Sequence, residues 1–90
     1  MEAPSPNRNI VDLPNLGPRC AEWLAQIEIH DEAGLRAVGA AAAFRELVLR
    51  EVAPHHRMLL FALGGAMAGK TIERLNRAEK RELEEETGLY

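Results

Sequence analysis

The sequence predicts an all-α domain, a compact bundle of about five helices with a helix-hairpin-helix core at its front. Three observations point there. The chain is 47% hydrophobic but only 4% aromatic, so its core is built from Leu, Ile, Val, Met and Ala, a composition that leans towards helix. Apolar residues recur at helical spacing, as Cys20, Leu24 and Ile27 do along one face. Start and stop residues bracket such runs, with Pro18, Asp31 and Asn76 ahead of them and Gly39 and Gly88 behind. Ninety residues support a single small core and leave no room for a second domain.

In chain order, residues 1–9 carry Pro4, Ser5, Pro6 and Asn7 and read as a flexible segment. The folded domain is expected over residues 10–90. A short helix or turn over Asn9 to Asp12 ends because Pro14 disfavours helical backbone at Leu13. Leu13-Pro14-Asn15-Leu16-Gly17-Pro18 then forms a hairpin turn. Gly17 is expected to take the left-handed backbone, which Asn15 also tolerates, and Pro18 opens a helix to about Ile27. Trp23 is expected at the edge of the core. Asp31 caps a short helix from about Glu32 to Val38. Gly39 breaks it before a helix over Ala40 to Val52, whose Phe44, Leu47, Val48 and Val52 face the core. Leu35, Val38, Gly39 and Ala43 repeat the order and spacing of Leu13, Leu16, Gly17 and Ala21, so a second, degenerate hairpin is expected here. Pro54 starts a central helix through His55 and His56 to about Gly69, apolar nearly all round from Met58 to Met67. Asn76 with Glu79 reads as a capping box for a last, charged helix that stops at Gly88.

Several function classes find no support in the residues. A net charge of −3 supplies no global attraction to a polyanion, so DNA binding would need a local patch. The single cysteine, Cys20, allows neither an internal disulfide nor a cysteine zinc site, and fits a reducing, cytoplasmic setting. No apolar run is long enough to span a bilayer, and the first ten residues lack a signal-peptide core. Gly64-Gly65-Ala66-Met67-Ala68-Gly69-Lys70-Thr71 matches a phosphate-loop pattern. It lacks the preceding buried strand and the later acidic strand end that such a site needs for magnesium. Neither nucleotide binding nor hydrolysis is expected. His55-His56 reads as a surface or helix-start pair rather than a metal site. Ser5 is the sole serine, and no nucleophile, base and orienting group can be assembled. The expectation is a non-enzymatic protein without cofactor or metal.

The hairpin is the remaining candidate site. In a DNA-binding version, turn N–H groups and the following helix N-terminus would hold a phosphate, through Asn15, Leu16 and Gly17, with Arg19 supplying charge. Pro18 removes one donor and Glu22 stands one turn on, so a purely structural hairpin is the competing reading.

The hairpin residues, together with Trp23-Leu24, Leu35-Arg36-Ala37-Val38-Gly39-Ala40, Phe44-Arg45-Glu46-Leu47, and Leu59-Leu60-Phe61-Ala62-Leu63 followed by Gly65-Ala66, resemble the C-terminal domain of the TfoX/Sxy family. The likeness covers roughly Ile10 to Gly69. It implies a helical, helix-hairpin-helix (SAM-like) fold and a part in regulating competence for DNA uptake alongside a transcription activator. Family members commonly carry an α/β domain ahead of this one, and the chain reads as the C-terminal domain by itself. A protein partner is therefore expected, either a transcription regulator or a separate N-terminal-type domain. DNA binding through the hairpin would be weak alone.

Overall fold

The computed structural model describes residues 7–90, in which five α-helices and two 3-10 turns form one core. A 3-10 turn at Ile10–Asp12 leads to α1 (Pro18–Ala25), α2 (Glu32–Val38), α3 (Ala40–Leu49) and α4 (Arg57–Ala68). A second 3-10 turn, Ile72–Arg74, precedes α5 (Arg77–Thr87). Among the described residues the sole extended pairing is an isolated antiparallel bridge between Asn9 and Asp31. The all-α expectation holds.

The core follows from α4, where Leu59 through Ala66 are all buried. A helix apolar on every side must be covered on several sides. Here α3 and α5 both pack against α4 and against each other, while α1 and α2 reach the core through α3. Leu24, Ile29, Leu35, Phe44, Leu47, Leu60 and Leu63 are fully enclosed, each worth about 1.5–3 kcal/mol of apolar burial. Trp23 is half-buried against this cluster, at the core edge as expected.

Helix ends follow local chemistry. Asp31 accepts from the Gly34 N–H at 2.9 Å. Asn76 and Glu79 form the reciprocal capping box, with Glu79 N–H donating to Asn76 Oδ1 at 2.8 Å and Asn76 N–H donating to Glu79 Oε1 at 2.9 Å. Gly88 closes α5 in left-handed backbone, φ 70°. The orphan carbonyl of Thr87 accepts from Arg45 Nη1 at 2.8 Å, which fastens the end of α5 to α3.

Four expectations need correction. Helix α3 stops at Leu49, because Glu51 turns left-handed (φ 57°) and the N–H groups of Val52 and Ala53 both donate back to the Leu47 carbonyl. Helix α4 begins at Arg57 rather than Pro54, since His56 is the cap and its Nδ1 accepts from Met58 N–H at 3.1 Å. The repeat is not kept in three dimensions. Leu16 is buried whereas Val38 is exposed, and Gly17 is extended (φ −127°) whereas Gly39 sits at φ +89°. The left-handed residue of the first hairpin is therefore not Gly17 but Asn15, at φ 68°.

Of the segment expected to be flexible, residues 1–9, residues 1–6 lie outside the described residues. Residues 7–9 are tied down. Asn7 Oδ1 accepts from Ala33 N–H at 2.8 Å, Arg8 C=O accepts from Glu32 N–H at 2.8 Å, and the Arg8 guanidinium grips both oxygens of Glu32 at 3.1 and 3.2 Å. Arg36 holds the same carboxylate from one turn along α2 and also donates to Met67 C=O at 3.3 Å. Glu32 is thus a nearly buried anion shared by two arginines, and its partners join the N-terminal segment, α2 and the end of α4.

Candidate functional site

The two stretches that carry the most suggestive sequence patterns meet in space. Asn15 can adopt left-handed backbone because its short polar side chain tolerates it, and that conformation aims the amide across the molecule. Its Nδ2 donates to Lys70 C=O at 2.8 Å and, more weakly, to Ala62 C=O at 3.4 Å, and its Oδ1 accepts from Ile72 N–H at 3.1 Å. The side chain clasps the link between α4 and the second 3-10 turn. Gly65 makes the approach possible. A Cβ there would stand 2.6 Å from Asn15 Nδ2 and 2.7 Å from the Lys70 carbonyl oxygen, well inside contact distance.

The remaining hairpin residues have diverse surroundings. Leu16 is buried and its N–H donates to Leu13 C=O at 3.4 Å. Gly17 is the N-cap of α1 in extended backbone, with open space where a Cβ would stand. The first main-chain bond of α1 runs from Ala21 N–H to Gly17 C=O. The N–H groups of Arg19 and Cys20 thus sit in the unpaired first turn. The Arg19 side chain is exposed and in no ion pair among the described residues. The structure consequently gathers an exposed Arg19 and one helix N-terminus, while Leu16 is buried and the exposed Asn15 has its amide engaged with Lys70 and Ile72.

The phosphate-loop look-alike is helix. Gly64 through Ala68 are the last turns of α4, where main-chain N–H groups are used in the helix ladder rather than presented to a ligand. Gly69 caps the helix at φ 71°, and Lys70 N–H donates to Gly65 C=O at 2.8 Å, a Schellman closure. Lys70 Nζ is paired with Glu79 Oε2 at 2.8 Å. That contact, followed by the capping bond from Asn76, holds the Glu79 carboxyl below its usual range. The Gly-rich pattern is thus a close-approach surface and a helix stop in one.

His55 and His56 are both exposed and perform separate tasks. His56 caps α4, whereas His55 stands edge-on to Phe44 and Tyr90, with ring centroids 5.9 and 4.9 Å away. Arg57 lies over the Tyr90 ring at 4.5 Å and pairs with Glu84.

The sequence reading missed the Glu32 triad and a trough between α4 and α5. The trough is bounded by Gly64 and Ala68 on α4, Leu75 before α5, and Glu79, Glu82, Leu83 and Glu86 on α5. The available signal for it was the recurrence of Glu79, Glu82, Leu83 and Glu86 at helical spacing on one face.

The model of the TfoX C-terminal domain family matches residues 6–87. The crystal structure of an uncharacterized protein from Listeria monocytogenes, in a triclinic form, is similar with a TM-score of 0.77 and 30% sequence identity, covering 84% of this chain and 85% of that one. No curated protein matches the chain.

Proposed function

The chain belongs to the TfoX C-terminal domain family, and from that premise we propose that it is a non-enzymatic regulatory module that acts by binding a protein partner. The partner class is a transcription regulator or a separate N-terminal-type domain. One observation carries the choice: the Asn15 side chain, the polar group of the turn, is spent on Lys70 and Ile72 within the fold, which leaves Arg19 as the one charged hairpin side chain for a phosphate. The same holds for the phosphate-loop lysine, which is engaged by Glu79. The hairpin is left with the N–H groups at the start of α1 and one arginine, fewer contacts than DNA-binding modules typically make to phosphate. The overall charge of −3 adds no compensating long-range attraction.

The second reading is direct DNA binding at the start of α1. The exposed, unpaired Arg19 beside the free N–H groups of the first helical turn favours it. One such contact neutralises one phosphate and would give a salt slope of only about −0.9, whereas DNA-binding modules typically neutralise several. The test is duplex affinity by fluorescence anisotropy at low and moderate salt for the native chain and Arg19→Ala, run beside affinity capture with mass spectrometry. Capture of a transcription regulator without duplex binding supports the interaction module. Submicromolar duplex binding at moderate salt, weakened by Arg19→Ala, overturns it in favour of the second reading.

A further inference from the structure

We propose that the trough between α4 and α5 docks a basic helical segment of the protein partner, one large aliphatic side chain entering the trough between flanking lysines or arginines. This deepens the interaction reading and rests on it.

The trough encloses about 170 Å³, room for a single anchoring side chain. Its floor is apolar, with the small Ala68 and the half-buried Leu83 exposed over the buried Gly64 and Leu75. A Cβ at Gly64 would fall 2.3 Å from Leu83 Cδ1, so the Leu83 side chain rests directly on the α4 backbone.

The rim decides the chemistry of the occupant. Glu79 is balanced by Lys70. Glu82 and Glu86 are exposed and form no ion pair among the described residues. Glu86 lies in the last turn of α5, which holds no basic residue, so its carboxylate faces the negative end of the helix dipole. An arriving cation relieves both the mutual repulsion and the dipole conflict, whereas a nucleic acid or an acidic peptide would be repelled. Glu82 and Glu86 are four residues apart, so they match lysines or arginines at i and i+4 on a partner helix. Aliphatic anchor and flanking cations together fit a basic amphipathic helix laid along the trough.

The probe is a fluorescent synthetic peptide of about 16 residues, long enough to be helical, alanine-based with one central leucine and lysines one turn to either side. The expected result is saturable binding that falls with added salt. It should weaken about tenfold or more for the Glu82→Lys/Glu86→Lys variant, and similarly for Ala68→Met, which fills the trough, or for a peptide with serine in place of leucine. These positions are exposed, so the variants should melt with the native chain. No saturable binding to the folded native chain, equal affinity in the variants, or equal affinity for a glutamate-substituted peptide would overturn the proposal. Concentration-dependent dimerisation abolished by Glu82→Lys/Glu86→Lys would also overturn it, by making the face a contact between copies. Capture of a transcription regulator that survives Glu82→Lys/Glu86→Lys would sink the trough and leave the interaction reading standing.

Discussion

Replacing Asn15 with glycine isolates the clasp from the backbone conformation beneath it. Glycine accepts φ 68° without steric cost, so the loss comes from the side-chain bonds to Lys70 and Ile72 at 2.8 and 3.1 Å, with little from the 3.4 Å contact to Ala62. Two sound bonds at about 1 kcal/mol each, with about 0.5 kcal/mol for the freer unfolded chain, give a loss of about 2–2.5 kcal/mol. At about 4–8 °C per kcal/mol for a domain of this size, the melting temperature should fall by about 8–20 °C. Gly65→Ala attacks the same clasp from the other side. Alanine gains about 0.5–1 kcal/mol of helix propensity, but its Cβ would displace the Asn15 amide and press on the Lys70 carbonyl, for a net loss of about 1–3 kcal/mol. Because each change removes the same bonds, Asn15→Gly/Gly65→Ala should lose about 1 kcal/mol less than the sum of the single losses. Urea denaturation of the four proteins measures all of this. An Asn15→Gly variant within about 0.5 kcal/mol of native, or strict additivity, would refute the clasp.

Three further outcomes are expected. Gly17→Ser should stay within about 0.5 kcal/mol of native, since it is an extended, uncrowded N-cap, whereas Gly39→Ala, forced to φ +89°, should lose about 1–3 kcal/mol; thermal melts that rank them the other way contradict the assignment. Hydrogen bonds from Arg8, then Arg36, hold the Glu32 carboxyl at about 2, against 4.5 unperturbed. A depressed folded-state value means stability present above pH 4.5 and lost as pH falls towards 2, so urea midpoints should drop across that window and do so less steeply in Glu32→Gln. Isothermal titration with ATP and magnesium should show no binding, and Lys70→Ala should cost at most about 1 kcal/mol as the loss of a half-exposed ion pair; tight binding abolished by Lys70→Ala would reinstate the phosphate-loop pattern.

Features set within a few residues were legible in the sequence. The Asp31 cap, the Asn76–Glu79 box and the Gly88 stop need only neighbours, so pattern and structure agree. The continuous apolar run likewise placed α4 at the centre. What could not be read was long-range. Asn15 and Gly17 both allow a left-handed turn, and the choice between them depends on an amide meeting groups 55 and 57 residues away. Glu32 looks like an ordinary first-turn acid until Arg8 arrives from 24 residues upstream. Pro54 carries a plausible helix-start signal, but the reversal through Glu51 and Val52 consumes the chain until His56. The repeat failed because matching Leu, Gly and Ala identities, with Val38 in place of Leu16, says nothing of which copy faces the core. For the candidate site, the residues of the hairpin were legible and the direction of the Asn15 side chain was not.

The account turns on that direction, and an NMR titration with a short DNA duplex reads it residue by residue. At low salt the account predicts unmoved Asn15 side-chain amide resonances and an Ile72 amide still protected from exchange. Any shifts should be small, confined to Arg19 and Cys20, and gone at moderate salt. Saturable shifts of the Asn15 side-chain amide with the Leu16, Gly17 and Arg19 N–H groups, persisting at moderate salt, would contradict it and make the hairpin a DNA-phosphate site.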